Sequence, residues 1–369
     1  MINPFSVFMP DSVKESLWKT LSSGYIGQGQ KVDEFETQFS KKFGIPNVVS
    51  LNSGTAALRL ALALIGIGPG DEVISTAYTM VATNTVILEQ FAKPVFADIS
   101  YENINIMPED IEHRINEKTK AIMCVHWGGY PCDMDKIHKI ADDYNLPVIE
   151  DAAHALGASY KNKAIGTLSD YTAFSFQAIK HLTTGDGGML SVKDVNKFKE
   201  AVRRRWFGID RLNRKTIITE DTIDDIKELG YKYHMNDIAA TIGIEQLKYF
   251  DSNFNRRKEI AKKYRKELDG LQGIELLENK DDRANANWMF AIHVKERTKF
   301  INYMLSKQIG VTVHNWRNDR YSIFGGLKKD LPILERVNNT LVNLPMHADL
   351  SNDNVSYIIK EIKNYIYRK

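Results

Sequence analysis

The chain has 369 residues, 43% of them hydrophobic, and 49 Lys+Arg against 47 Asp+Glu leave a formal charge of +2. That length supports a large core and two domains, and the charge balance argues against nucleic acid as the main partner. Met1-Ile2-Asn3-Pro4-Phe5 lacks the basic start and apolar run of a secretory signal. The most apolar stretch, Ala56 to Gly68, is short and carries Arg59, so it reads as a buried helix rather than a membrane span. Cys124 and Cys132 fit no disulfide framework or metal knuckle, which points to a reducing cytoplasm, and the histidines form no ligand pattern, so no metal is expected.

In chain order, Phe35, Phe39 and Phe43 mark a helix that ends at Gly44. A strand at Val48–Leu51 leads into a helix over Thr55–Ile65, and a Pro69-Gly70 turn precedes a strand at Glu72–Ser75. A helix over Val81–Gln90 and strands at Pro94–Ala97, Ala121–Val125 and Pro147–Glu150 continue the alternation, with a helix over Met134–Tyr144 between the last two. Alternation of this kind predicts a mainly parallel sheet covered by helices on both faces, with the ligand site beyond the carboxyl ends of the strands. A long helical pattern from Asn236 to Leu268 follows. Trp288–Val294, Val311–His314 and a closing helix over Val355–Tyr367 then suggest a smaller α+β unit. The expected division is 1–250 and 251–369.

Four segments fall where such a sheet places chemistry. Asn52-Ser53-Gly54-Thr55-Ala56 joins a strand to a helix; its exposed amides suit a phosphate, although taken alone an ordinary cap by Ser53 or Thr55 is the commoner explanation of such a turn. Glu150-Asp151 ends a buried strand, and a carboxylate there can pair with a protonated ring nitrogen or simply cap a turn; His154 alone fits a structural role. Lys180 sits between Phe174-Ser175-Phe176 and the glycine-rich Thr183–Gly188 turn. A lysine in a dry site has a lowered pKa and can act as a Schiff-base nucleophile, though most lysines are solvated. Gly230–Asp237 reads as a helix entry.

The ordered set, together with Gly24-Tyr25-Ile26-Gly27-Gln28-Gly29 and Leu344-Pro345-Met346-His347, resembles the DegT/DnrJ/EryC1/StrS sugar aminotransferases, which are fold-type I enzymes dependent on pyridoxal 5′-phosphate (PLP). The resemblance spans nearly the whole chain and implies a large, mainly parallel αβα domain with a smaller C-terminal α+β domain. It implies that Lys180 anchors the cofactor, Asp151 pairs with its ring nitrogen and His154 lies near its phenolic oxygen. Gly54, Thr55, Ala56 and Ser175 would hold the phosphate. Met80 stands where relatives place an aromatic ring over the cofactor, flanked here by Tyr78. His234, or failing that Asn236, would reach the phosphate of a partner subunit in a homodimer. Asp186 replaces a common glutamate. Tyr25, Arg205 (from the run Arg203-Arg204-Arg205), His314, Trp316 and Arg317 would contact substrate.

The implied reaction takes an amino group from a donor, glutamate being expected, by way of pyridoxamine 5′-phosphate (PMP), and delivers it to a nucleotide-linked 4-keto-6-deoxy sugar. A 3-keto sugar or a small keto phosphate stays open as substrate. A sugar 3-dehydratase on the same scaffold would carry histidine in place of Lys180, and here His181 comes one residue later. A silent regulator on the same fold is disfavoured by intact Lys180 and Asp151. A nicotinamide dehydrogenase is disfavoured because a G-x-G-x-x-G turn is missing.

Overall fold

The computed structural model describes residues 1–211 and 225–367. Helices α1 (Ser12–Ser22) and α2 (Gln30–Phe43) precede the first strand. Phe35 and Phe39, one turn apart, bury the inner stripe of α2, and Gly44 takes the left-handed φ of 65° that stops it. The chain then alternates through β1 (Val48–Leu51), α3 (Gly54–Ile65), β2 (Glu72–Thr76), α4 (Val81–Leu88), β3 (Lys93–Ala97), α5 (Pro108–Arg114), β4 (Thr119–Val125), α6 (Met134–Asp143) and β5 (Val148–Asp151). A small hairpin, β6 (Ser159–Tyr160) and β7 (Lys163–Ala164), leads to β8 (Tyr171–Ser175), β9 (Gly188–Val192) and α7 (Val195–Arg204).

Seven of these strands form one sheet in the order β1-β9-β8-β5-β4-β2-β3. Neighbours from β3 to β8 are parallel, and only the β8–β9 and β9–β1 pairs are antiparallel. Parallel strands buried on both faces read as continuous apolar runs, as Ala121–Val125 and Val148–Ile149 do. Successive side chains alternate between the faces. Ile122, Val148, Phe174 and Phe176 join Phe35 and Phe39 on one side, while Ala121, Ile149 and Ala173 meet Leu58 and Leu62 of α3 on the other. Asp151 shares the parity of Ile149, and Glu150 that of Val148. The two acids therefore leave β5 on opposite faces.

Helix α8 (Asp237–Leu268) is one 32-residue element. Its first half packs with Leu247, Phe250 and Phe254 on the large-sheet core, and from Ile260 onward it belongs to a second core. That second core is built with β10 (Ile274–Leu276), β12 (Phe290–Val294), α9 (Arg297–Ser306), β13 (Leu341–Leu344) and α11 (Asn352–Tyr367), whose strands form an antiparallel β10-β12-β13 sheet. The strand β11 (Arg283–Ala284) pairs back onto β6, and α10 (Pro332–Thr340) packs against Tyr78 and Trp127 in a further cluster between the sheets. Position 251 falls inside α8, where the helix is unbroken. Val311–His314 forms one isolated bridge, Thr312 to Asn343, in place of a strand. Among the described residues no helix is long and apolar enough to cross a membrane.

Candidate active site

A cavity of about 320 Å³ opens at the carboxyl ends of β4, β5 and β8. It is lined by Ser53, Gly54 and Thr55, by Thr79, Met80 and Thr83, by Asp151 and His154, and by Ser175, Lys180, Asp186 and His314. Segments more than 250 residues apart in the chain thus converge where an open α/β sheet places its ligands.

The floor is a close meeting of backbones. At Gly188 on β9, a Cβ would come within 2.4 Å of the Ser53 carbonyl; at Gly54 it would press Ser175 Cβ at 3.0 Å. Only glycine lets the start of α3 sit against the ends of β8 and β9. Ser53 caps α3, its hydroxyl accepting from the Ala56 amide at 3.0 Å. The amides of Gly54 and Thr55 precede any intrahelical acceptor and carry the positive end of the helix dipole. Ser175 brings its hydroxyl to the same corner.

Asp151 is buried. Its Oδ2 accepts from the Thr83 hydroxyl at 2.7 Å and its Oδ1 from the Ala153 amide at 3.1 Å. Burial raises the Asp151 carboxyl above its usual range, against the opposing pull of Thr83, Ala153 and the Lys180 charge. Burial also pushes Lys180 down to about 7, while the Asp151 charge pulls it up. Its Nζ rests 3.8 Å from the centre of the Trp288 ring. Trp288 is itself fixed by its indole N–H to the Ile179 carbonyl at 2.9 Å, and His154 stacks on it at 3.8 Å with 14° between planes. The His154 Nδ1 is buried without a hydrogen-bond partner, and burial followed by the Lys180 charge keeps this imidazole neutral. His314 is pushed down to about 4 by burial and then by Lys180.

This donor set fits PLP: an anion corner at a helix start, a buried carboxylate for a ring nitrogen, an unpartnered imidazole and a lysine poised near neutrality. Neither Thr83 nor Trp288 was singled out by the sequence. A Thr79/Thr83 pair four residues apart, entering a helix after a strand end, was the available signal for the first. Trp288 appears in the sequence only as part of an apolar run.

Of the other expected site residues, only Met80 borders this cavity. Met80 is exposed at the cavity mouth, whereas Tyr78 is buried beside Trp127. Tyr25 is 81% exposed and borders a different groove, with Ser16, Thr20 and Thr241. Arg205 is buried in an ion pair with Glu36, which also accepts from the Ser50 amide. Arg317 is closed off by Asp319 and Glu335, and Trp316 lies half-open under Arg320. His234 packs against Trp206 at 3.9 Å, and Asn236 caps α8 through the Ala239 amide. Asp237 lies close over Gly29: its carboxylate accepts from the Gly29 and Val32 amides and would stand 2.9 Å from a Cβ there. His181 points away, its ring nitrogen 2.8 Å from the Ala286 carbonyl.

Comparison with known proteins gives a consistent picture. The sequence profile described as the DegT/DnrJ/EryC1/StrS aminotransferase family matches residues 10–363. The GDP-perosamine synthase of Escherichia coli O157:H7 is 33% identical over 95% of this chain and 95% of its own length. The sugar aminotransferase CalS13 from Micromonospora echinospora superposes with a TM-score of 0.94 at 35% identity, covering 99% of this chain and 100% of that one. Spr1654 from Streptococcus pneumoniae, in its PMP form, reaches 0.91 at 30% identity over 99% of both chains.

Proposed function

Because this chain belongs to the DegT/DnrJ/EryC1/StrS aminotransferase family and is a PLP-dependent sugar aminotransferase, we propose that it moves an amino group from L-glutamate to a nucleotide-linked 4-keto-6-deoxy sugar. The observation that carries the site assignment is the convergence of Lys180, Asp151, His154 and the start of α3 on one cavity. The Gly54 and Thr55 amides with the Ser175 hydroxyl would hold the phosphate, the Ala56 amide expected beside them being taken by the Ser53 hydroxyl; Asp151 would hold the ring nitrogen and Lys180 the reactive carbon, with His154 beside the phenolic oxygen and Met80 at the ring's open face.

When bound, PLP supplies an electron sink for the charge left on the donor's α-carbon. The chain's own groups handle protons and position. Burial brings the Lys180 amine down to about 7, far below an exposed lysine, so that when free its Nζ would be able to lift the donor's α-proton and, in the second half of the cycle, deliver a proton to the sugar carbon. Asp151 keeps a proton on the ring nitrogen by opposite charge in a buried setting. His154 and His314, neutral through burial, add no positive charge to compete with it.

A dehydratase reading needs histidine at the anchoring position. Lys180 lines the cavity while His181 is tied to the Ala286 carbonyl, which favours amino transfer. The same reading makes the active form a cytoplasmic homodimer in which His234 or Asn236 serves the partner's site, since neither lines the cavity of its own chain. It also divides the chain into a cofactor unit, 1–250, and a smaller unit, 251–369. Mixing Lys180→Ala chains with His234→Ala/Asn236→Ala chains should restore part of the activity; a fully active monomer in sedimentation would overturn the shared site.

The substrate is tested by incubating PLP-loaded protein with glutamate and a panel of nucleotide-linked keto sugars. Amino-sugar product from the 4-keto-6-deoxy members is expected. Product only from 3-keto sugars or small keto phosphates would correct the substrate, and amine from none would overturn the reading.

A further inference from the structure

We propose that Thr83 is a positioning residue for Asp151: its hydroxyl, fixed in turn by Thr79, holds one carboxylate oxygen so that the acid stays ionised and keeps one orientation toward the cavity. The inference rests on the reading of Asp151 given above.

The direction of each bond follows from what the groups can donate. An ionised carboxylate only accepts, so the single hydrogen of Thr83 is committed to Asp151 Oδ2 at 2.7 Å. The 2.9 Å contact between the Thr79 and Thr83 hydroxyls must then run from Thr79 to Thr83. The result is a one-way chain, Thr79 to Thr83 to Asp151, in which each bond polarises the next and favours negative charge at its end. A protonated Asp151 would gain less from this chain, because a neutral carboxyl oxygen is a weaker acceptor than a carboxylate oxygen. The Ala153 amide takes the other oxygen, leaving the carboxylate little freedom to rotate.

The chain is anchored from outside α4. Asn84 donates to the Thr76 carbonyl at 2.9 Å and to Asn318 Oδ1 at 2.8 Å. Asn318 in turn donates its side-chain amide to the Thr79 carbonyl at 2.8 Å and its backbone N–H to Ala77 at 2.7 Å. Thr79, Thr83, Asn84 and Asn318 are all buried, so water does not compete for these bonds. The titratable groups that face Asp151 are Lys180 beyond β8 and His154 beyond β5; the Lys180 charge favours its ionised form, and a smaller pull in the same direction comes from His126, whose ring lies with Glu150 on the other face. Burial works the other way and is the larger influence. A neutral donor turned toward Asp151 is therefore set against desolvation at the one acid whose charge the reaction needs.

The test compares Thr83→Val, which keeps the shape and removes the hydroxyl, with Thr83→Ser, which keeps the hydroxyl. In the PLP-loaded protein the readouts are kcat, KM, the pH profile of kcat, and the pH titration of the cofactor's absorbance band. Thr83→Val should lower kcat roughly 10- to 100-fold, the loss expected for a hydrogen bond to a charged group, with KM within about threefold. Its acid limb should move up by about one pH unit, because the carboxyl has lost a donor to its charged form. The absorbance titration should shift as well, and Thr83→Ser should restore both. A Thr83→Val protein with wild-type pH profile and absorbance titration overturns the proposal. If that variant does not fold, as a melting temperature without cofactor would show, Thr79→Val removes only the support and should shift both readouts the same way by less; no shift there overturns the proposal too. Asp151→Asn separates the two levels. Full activity in that variant sinks the reading of Asp151 itself, whereas a crippled Asp151→Asn beside an unaffected Thr83→Val sinks only this inference.

Discussion

Glu150 and Asp151 are neighbours on β5, both buried, yet the two faces of the sheet treat them in opposite ways. On the face shared with α2, burial alone would raise the Glu150 carboxyl, but the His126 ring at 2.7 Å and the Ser169 amide at 3.1 Å overcome it and hold the group below its usual range. On the face shared with α3 and α4, Asp151 has hydroxyl and amide partners and a partly charged lysine, so burial wins and its carboxyl rises. One acid has its charge matched by the protein. The other has a charge still seeking a partner. A buried carboxylate left partly uncompensated marks the side of the sheet where a cationic ligand group belongs.

Substitutions on the two faces should therefore fail in different ways. The largest effect is expected from Lys180→Ala, which should abolish transamination while leaving the melting temperature of the cofactor-free protein near wild type; turnover within a few-fold of wild type would remove Lys180 from the mechanism. Asp151→Asn should keep cofactor near the site but lower kcat roughly 10²–10³-fold, as for loss of one preorganised charge at a reacting centre. Unchanged kcat would mean that another group balances the ring nitrogen.

Glu150→Gln should instead cost stability, about 3–5 kcal/mol for breaking a buried pair, with kcat moved only a few-fold. Because the folded pKa of Glu150 is depressed, its contribution is present above the ordinary value of 4.5 and lost as pH falls through the lower folded value. The melting-temperature gap between wild type and variant should thus close in acid. A gap that widens there would mean that Glu150 is not held ionised.

The smallest effect is kinetic. In cofactor-free protein the rate of PLP capture by Lys180 should rise with pH through a midpoint near 7, where an exposed lysine would show about 10.4. A midpoint above 9 would mean that the amine is solvated.

Local periodicity made much of the large unit legible. Val48–Leu51 forms the expected strand, the helix expected over Thr55–Ile65 runs Gly54–Ile65, and the long helix expected from Asn236 starts one residue later because Asn236 is its cap. Helix α4 stops at Leu88, two residues short of the expected Gln90. The helix α1, with few residues buried, carries a weaker pattern and went unpredicted, as did β9, whose identity depends on pairing with β1 and β8. Glu150 and Asp151 could not be told apart from the sequence, because strand parity separates them only once the register is known. Thr83 and Trp288 were hidden for a related reason. One meets Asp151 across 68 positions and the other meets Lys180 across 108, and no spacing rule spans such gaps.

Helix α8 has a mechanical consequence. At 32 residues it is a rod of about 48 Å, seated at one end among the aromatic rings of α2 and at the other inside the small sheet's core. A rod clamped at both ends permits no free swivel at its midpoint. Any movement of one core relative to the other must rock or flex the whole rod, so a helix-breaking residue near Ser252 would uncouple the two ends as a cut shaft uncouples a gear train.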